Sequence, residues 1–215
     1  MGLIFDSMAG SEIPSMPPCA ASIRAGGKNA ATPATCSDCS AWASDRIFLT
    51  GYSAGAHLAL IASSGVAGPA TADEPHADQS EQVAGVAAFF PPARIEAQHG
   101  GMLGISDPAM LAKMSPMTHA GRYPPTILFC GDEDSMTPPQ LSTDLYRAIR
   151  DAGGTADLRL YSNLIHEFVS LPGMMQTTIA DAAAFFERTA TGKPAFDAAL
   201  GDLRKWWETI LAAPH

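Results

Sequence analysis

The chain has 215 residues, 47% of them hydrophobic, which predicts one folded domain with a substantial core. A formal net charge of -9 and a pI near 5.0 argue against a nucleic-acid or anionic-membrane partner, because either would repel an acidic surface. No run of residues is long enough to span a membrane, and residues 1–6 lack the pattern of a signal peptide. We therefore expect a cytoplasmic location, unless a signal peptide was lost with a missing N-terminal segment.

The first 45 residues predict little regular structure. Residues 2–5 form a short apolar strand, and a long passage rich in Pro, Gly and small polar residues follows as far as Ser40. Cys36 and Cys39 have the spacing of a metal or redox pair, but no second pair follows them, and free thiols are the simpler interpretation. The sequence therefore predicts neither a metal nor a cofactor.

The most informative motif follows directly. Residues 47–50 form a short apolar strand, Gly51-Tyr52-Ser53-Ala54-Gly55 comes next, and an apolar helix begins there. This is the strand, turn and helix context of a G-x-S-x-G nucleophile elbow, whose strained turn lifts the serine hydroxyl clear of the sheet. Small residues at 51 and 55 are expected to let the strand and helix approach closely. Ser53 is thus the candidate nucleophile, and the Ala54 N–H, at the positive end of the helix, is a candidate oxyanion donor.

Strands and helices alternate after the elbow. Residues 83–90 form a buried strand, 126–130 the next strand, 139–152 a helix and 156–161 a further strand. Residues 93–123 have no strong period, and we interpret them either as an irregular cap over a pocket or as a surface connection. The alternation predicts an α/β sandwich with a mainly parallel sheet, formed by residues 1–215 as a single domain.

Two helices end the chain. The first covers about residues 174–188 and the second about 194–212. The second helix is amphipathic, with an apolar stripe of Phe196, Leu200, Leu203, Trp207 and Ile210. Packing of this stripe on the protein's own sheet is the first expectation, and an interface in a homo-oligomer is the alternative.

A serine nucleophile needs a base and a carboxylate that orients it, and in an α/β-hydrolase both follow the nucleophile in the order acid, then His. The strand at 126–130 leads into a loop with Asp132 and Asp134, and the strand at 156–161 leads into a loop with His166. The carboxyl ends of parallel strands share one edge of the sheet, so these side chains are expected near Ser53.

Four segments together resemble one superfamily: 46–60, Ser115-Pro-Met-Thr-His119, 124–131 with Asp134 and Thr137-Pro138, and His166-Glu-Phe168. They are similar to the carboxylesterase branch of the α/β-hydrolases, above all to acetylxylan or feruloyl esterase-like enzymes and their arylformamidase relatives. The resemblance implies a triad of Ser53, Asp134 and His166, a small-molecule ester substrate, an acyl-enzyme intermediate and no cofactor. Asp132 stays the alternative acid.

The other histidines receive structural interpretations. His57, four residues into the elbow helix, is expected to be a packed, hydrogen-bonded residue beside the site. His119 lies in a segment that resembles a structural part of the family, and His76 and His99 lie in polar loops.

One part of the family pattern is missing. A His-Gly-Gly loop normally precedes the nucleophile and supplies the second oxyanion donor, but here His99-Gly100-Gly101 follows it. Residues 4–18 resemble the strand and Pro-rich loop that come after the oxyanion loop, so residues 1–45 are expected to be a truncated or divergent front end. A catalytically weak or silent relative that binds or oligomerises is therefore the alternative function. A peptidase or arylformamidase of the same fold is a further alternative, although prolyl peptidases normally carry a gating domain.

Overall fold

The computed structural model describes residues 47–66, 82–96 and 104–212. Predictions that concern residues 1–46, including the short strand at 2–5 and the Cys36–Cys39 pair, lie outside these ranges. The same holds for His76 and for His99-Gly100-Gly101.

The described residues form a four-stranded parallel sheet. Its strands are β1 (Phe48–Tyr52), β2 (Gly85–Phe89), β3 (Thr126–Gly131) and β4 (Ala156–Tyr161), in the order β1-β2-β3-β4. Every residue of β2 and β3 is buried, as expected for inner strands of a parallel sheet covered on both faces. The four predicted strands are thus present, and β1 ends two residues later than the sequence indicates. The mainly parallel α/β fold is confirmed.

Five α-helices accompany the sheet in the described part of the chain. They are α1 (Ala54–Ser63), α2 (Pro108–Met114), α3 (Pro139–Asp151), α4 (Met174–Phe186) and α5 (Lys193–Leu211). Two 3-10 helices, Pro116–Arg122 and Phe168–Ser170, and a π-helical segment, Glu187–Thr191, complete them. None of the described helices combines the length and apolar character that crossing a membrane requires.

The expectation of an irregular segment at 93–123 is wrong for its second half. Helix α2 is preceded by its N-cap residue Asp107, whose carboxylate accepts a hydrogen bond of 3.0 Å from the Ala109 N–H, and Pro108 occupies the first helical turn. An aspartate at the N-cap and a proline at the first helical position are both signals that a helix starts. The role of this segment as a cap stays a prediction.

The core lies on both faces of the sheet because side chains alternate along each strand. On one face, Val86 and Leu128 pack against Leu60 of α1 and against Leu145 of α3. On the other face, the buried side chains are mainly aromatic; they are Ala87, Phe89, Phe90, Ile127, Phe129, Phe168, Val169 and Phe185. This layering holds the carboxyl ends of β1, β3 and β4 at one edge, where the candidate site residues lie.

The apolar stripe of α5 does not pack on the sheet within the described residues. No residue of α5 is buried, and Leu203 and Trp207 are 57% and 53% exposed. The first expectation for this stripe, burial against the protein's own sheet, is therefore wrong. An interface with a second copy stays a prediction.

Candidate active site

The turn between β1 and α1 has the backbone of a nucleophile elbow. Ser53 has φ 51° and ψ -117°, a region that side-chain-bearing residues adopt only under strain. Its N–H donates to the Phe89 carbonyl at 3.0 Å, which fixes the turn to the neighbouring strand. The Ser53 side chain is therefore held at the carboxyl end of the sheet, as the motif predicts.

The two glycines of the elbow differ in what they allow. A Cβ atom at Gly51 would lie 2.2 Å from the Gly55 carbonyl oxygen, so only glycine permits this approach of strand to helix. A Cβ atom at Gly55 would meet no described atom within 4 Å. The expected need for a small residue therefore holds at position 51, while the described neighbours do not impose it at position 55.

The loops after β3 and β4 are joined to each other by backbone contacts. The Asp132 N–H donates to Tyr161 O at 3.0 Å, and the Glu133 N–H donates to Leu164 O at 3.1 Å. The Asp132 carboxylate accepts the Asn163 N–H at 2.6 Å, whereas the hydrogen bond of His166 Nδ1 goes to Asp134. The two loops thus form one assembly, and the alternative acid Asp132 serves as its link.

Ser53, His166 and Asp134 form a continuous chain of hydrogen bonds. His166 Nε2 lies 3.0 Å from Ser53 Oγ, and His166 Nδ1 lies 2.7 Å from Asp134 Oδ2. An ionised Asp134 accepts but cannot donate, so Nδ1 carries the proton, and Nε2 is left to accept the Ser53 hydroxyl proton. This arrangement sets a serine up for deprotonation during attack on an electrophile.

The Asp134 carboxylate is fully enclosed and fully hydrogen-bonded. Its side chain has no exposed surface; Oδ1 accepts the backbone N–H groups of Met136 and Thr137, each at 2.9 Å, and Oδ2 accepts from His166 and the Thr137 hydroxyl. Burial alone would raise the pKa of Asp134, but hydrogen bonds from Thr137 and His166 outweigh it, and the pKa is lowered. Asp134 therefore stays ionised while it holds His166.

Two neighbours of this chain were not predicted from the sequence. Phe90 has φ 40°, its ring centroid lies 4.5 Å from that of His166, and it is completely buried. The Thr137 hydroxyl lies within 3.3 Å of both Asp134 and His166. The one signal available for Thr137 was its place in the Thr137-Pro138 pair, whereas the positive φ of Phe90 depends on tertiary packing.

The remaining predicted residues lie beside the site. Tyr52 packs on Phe89, with ring centroids 4.7 Å apart, and its hydroxyl contacts the Met175 sulfur at 3.3 Å. His57 is buried and its Nε2 lies 2.7 Å from Met114 O, which fits the predicted packed, hydrogen-bonded residue. His119 likewise binds a backbone carbonyl, that of Lys113, at 2.7 Å. In the part of the chain that the structure describes, no three His, Cys, Asp or Glu side chains are grouped to hold a metal.

The parallel sheet, the strained elbow serine and the following acid and histidine define an α/β-hydrolase fold. The family model described as the prolyl oligopeptidase family matches residues 36–193, which is more than half of the chain. The chain therefore belongs to the prolyl oligopeptidase family, and the predicted resemblance to the α/β-hydrolases is confirmed.

Solved structures with the same fold bear esterase names. An esterase from the planctomycete Thermogutta terrifontis is 24% identical, with a TM-score of 0.56 over 66% of this chain and 55% of its own. An acetyl ester-xyloside bifunctional hydrolase from Caldicellulosiruptor lactoaceticus is 21% identical, with a TM-score of 0.57 over 71% of this chain and 58% of its own. The chain thus spans little more than half the length of these relatives, and at such identities the likeness concerns the fold. No curated protein matches the chain.

Proposed function

We propose that the protein is a serine hydrolase that cleaves carboxylic esters through an acyl-enzyme intermediate. The observation that carries the proposal is the hydrogen-bonded chain from Ser53 through His166 to Asp134, with 3.0 Å and 2.7 Å between the paired atoms. The strained backbone of Ser53 at the helix N-terminus supports it, because this turn presents the hydroxyl to a substrate.

The proposed reaction begins when Ser53 Oγ attacks the ester carbonyl carbon and its proton passes to His166 Nε2. Asp134 keeps the ring in place and stabilises the imidazolium that forms. The carbonyl oxygen becomes an oxyanion, which the Ala54 N–H, one of the free N–H groups in the first turn of α1, can bind. As the tetrahedral intermediate collapses, His166 protonates the leaving alkoxide. Water then repeats the sequence on the acyl-serine and releases the acid.

Esters are preferred over peptide bonds in this proposal. The esterase names of the fold relatives favour an ester, and the name of the family favours a peptide bond as the second candidate. An ester needs less help at the leaving group, since an alkoxide leaves more readily than an amide nitrogen. A simple activated ester is therefore the first substrate to try, with a prolyl anilide as its counterpart.

Labelling with a fluorophosphonate probe tests the proposal directly. The wild type should react at Ser53, and Ser53→Ala should lose the label together with at least about 1000-fold of the turnover of p-nitrophenyl acetate. A wild type that reacts no faster than Ser53→Ala would overturn the assignment. Faster turnover of the prolyl anilide than of the ester would favour the peptidase instead.

A silent binding module remains the alternative from another class, and the same probe distinguishes it. Absence of one oxyanion donor lowers turnover about 100- to 1000-fold. Fluorophosphonate labelling is a single irreversible attack whose product accumulates with time, so it still reports on the nucleophile and its base. A labelled but slow protein would indicate an intact triad with an incomplete oxyanion hole. An unlabelled, stably associated protein would favour the binding module.

A further inference from the structure

The hydroxyl group of Thr137 lies where three polar groups of the site meet. Its oxygen is 2.8 Å from Asp134 Oδ2, 3.1 Å from the Phe90 carbonyl oxygen and 3.3 Å from His166 Nδ1. Thr137 is buried, so water does not compete for these contacts. A hydroxyl has one proton to donate, and the choice of acceptor decides what this residue does.

Asp134 is the best of the available acceptors. Its oxygen is closer than the Phe90 carbonyl, and a hydrogen bond to an ionised carboxylate is about twice as strong as one between neutral groups. His166 Nδ1 already donates its own proton to the same oxygen, so it needs no proton from Thr137. The Thr137 proton therefore goes to Asp134 Oδ2, and its lone pairs face the Nδ1–H.

The Phe90 carbonyl oxygen, the alternative acceptor, keeps the Thr137 hydroxyl in place. The Phe90 carbonyl can accept from Thr137, and the Phe90 N–H is bound to Phe129 O at 2.6 Å. The Thr137 side chain is thus confined between a fixed carbonyl and the carboxylate. A threonine rotamer that moves the hydroxyl away from the Phe90 carbonyl would remove the hydrogen bond that Thr137 can donate to this buried acceptor, which is costly.

We propose that Thr137 is a positioning residue that fixes Asp134 Oδ2 and moderates the attraction of this oxygen for the proton on His166. The inference rests on the proposed function, because it concerns the same triad. Two donors share Oδ2, and removal of one leaves more negative charge for the other. A stronger carboxylate would stabilise protonated His166, which cannot accept the Ser53 proton, and the working pH range would move upward.

Substitutions of Thr137 leave in place the other titratable groups near Asp134 and His166. Asp132 is turned to the Asn163 N–H, and Glu133 and Glu167 lie beside the triad acid and base in the chain. Cys130, at the end of β3, is neutral at physiological pH because burial raises its pKa to about 11. A difference in the pH profile of activity between variants at position 137 therefore reports on the Thr137 hydroxyl.

Three variants isolate the effect of the Thr137 hydroxyl. Thr137→Val removes it at constant shape, Thr137→Ser restores it, and Thr126→Val removes a buried hydroxyl at the opposite end of β3. In Thr137→Val, the midpoint of the acid limb of kcat/KM for p-nitrophenyl acetate should rise by about half to one pH unit. Thr137→Ser and Thr126→Val should keep the wild-type midpoint. An unchanged midpoint in Thr137→Val, or an equal rise in Thr137→Ser, would overturn the proposal.

A proton NMR measurement tests the same idea without turnover. The Nδ1–H of His166 in its short bond to Asp134 should give a far-downfield resonance, and the pH at which it changes should rise in Thr137→Val but not in Thr137→Ser. Thr137→Ala replaces Thr137→Val if circular dichroism shows that the valine variant is unfolded. A wild type with this resonance but no fluorophosphonate label would refute the hydrolase, while the resonance would still decide the role of Thr137.

Discussion

Gly131 allows the loop after β3, which carries Asp134, to lie close to the loop after β4, which carries His166. A Cβ atom at this position would lie 2.0 Å from Leu164 O, whereas real Cβ atoms essentially never come closer than 3.0 Å, so Gly131→Ala requires a shift of about 1 Å. Leu164 is two residues from His166, and its carbonyl also accepts the Glu133 N–H. A displacement of this size in a catalytic group costs about 100-fold in rate, so kcat/KM for p-nitrophenyl acetate should fall by about that factor.

The accompanying loss of stability should be moderate, because overpacking typically costs about 1–3 kcal/mol, and urea unfolding measures it. Gly121→Ala is the matched control, since its Cβ would lie an ordinary 3.6 Å from that of Ala152. Both variants should show the circular dichroism of the wild type. If Gly131→Ala retains kcat/KM within about threefold of Gly121→Ala, the two loops do not depend on this approach, and the reasoning fails.

Three further predictions concern stability and reactivity. The pKa of Asp134 is lowered in the folded state, so its stabilisation is complete above the unfolded value of about 3.9 and is lost as the pH falls through the folded value. Urea midpoints of wild type and Asp134→Asn should therefore converge as the pH falls below about 4, where Asp134 takes up its proton. A gap that keeps widening below about pH 4 would contradict the lowered pKa. Leu145→Ala should cost about 2–5 kcal/mol because Leu145 is fully buried, while Leu203→Ala should cost less than about 0.5 kcal/mol. A larger loss at Leu203 would mean that α5 is covered, and solution mass would then show whether a second copy covers it. Cys130 is buried, and burial raises its pKa to about 11, so iodoacetamide at pH 8 should leave this thiol unmodified until urea unfolds the protein. Mass spectrometry of the peptide that contains Cys130 measures the modification. Equal rates of modification with and without urea would contradict this prediction.

The strands, and the proximity of Ser53, Asp134 and His166 at one edge of the sheet, were predictable from the sequence because both depend on local patterns. An apolar run such as residues 126–130 has few alternatives to a buried strand, and polar residues that follow such strands must gather at one edge of a parallel sheet. The preference for Asp134 over Asp132 came from family spacing, and the structure gives it a geometric reason: Asp132 holds the Asn163 N–H.

Features that depend on tertiary contacts were not predictable in the same way. Pro91-Pro92 mark the end of the strand in the sequence, but they do not specify a positive φ at Phe90, whose ring lies against that of His166. The stripe on α5 has the period of a buried helix face, yet Leu203 and Trp207 are exposed within the described residues. Periodicity shows which side chains share a face, but it does not show what covers that face. Helix α2 was missed although Asp107-Pro108 carries a start signal, because seven residues are too few for a clear period.

The three site residues are separated very unequally along the chain. Asp134 and His166 are 32 residues apart and join through adjacent strands, whereas Ser53 lies 113 residues before His166. Closing the longer loop costs about 1 kcal/mol more in chain entropy, and native contacts that are local in sequence generally form sooner. During refolding, Asp134 and His166 should therefore meet first, and Ser53 should join them last. Recovery of fluorophosphonate reactivity would then mark the final step of folding.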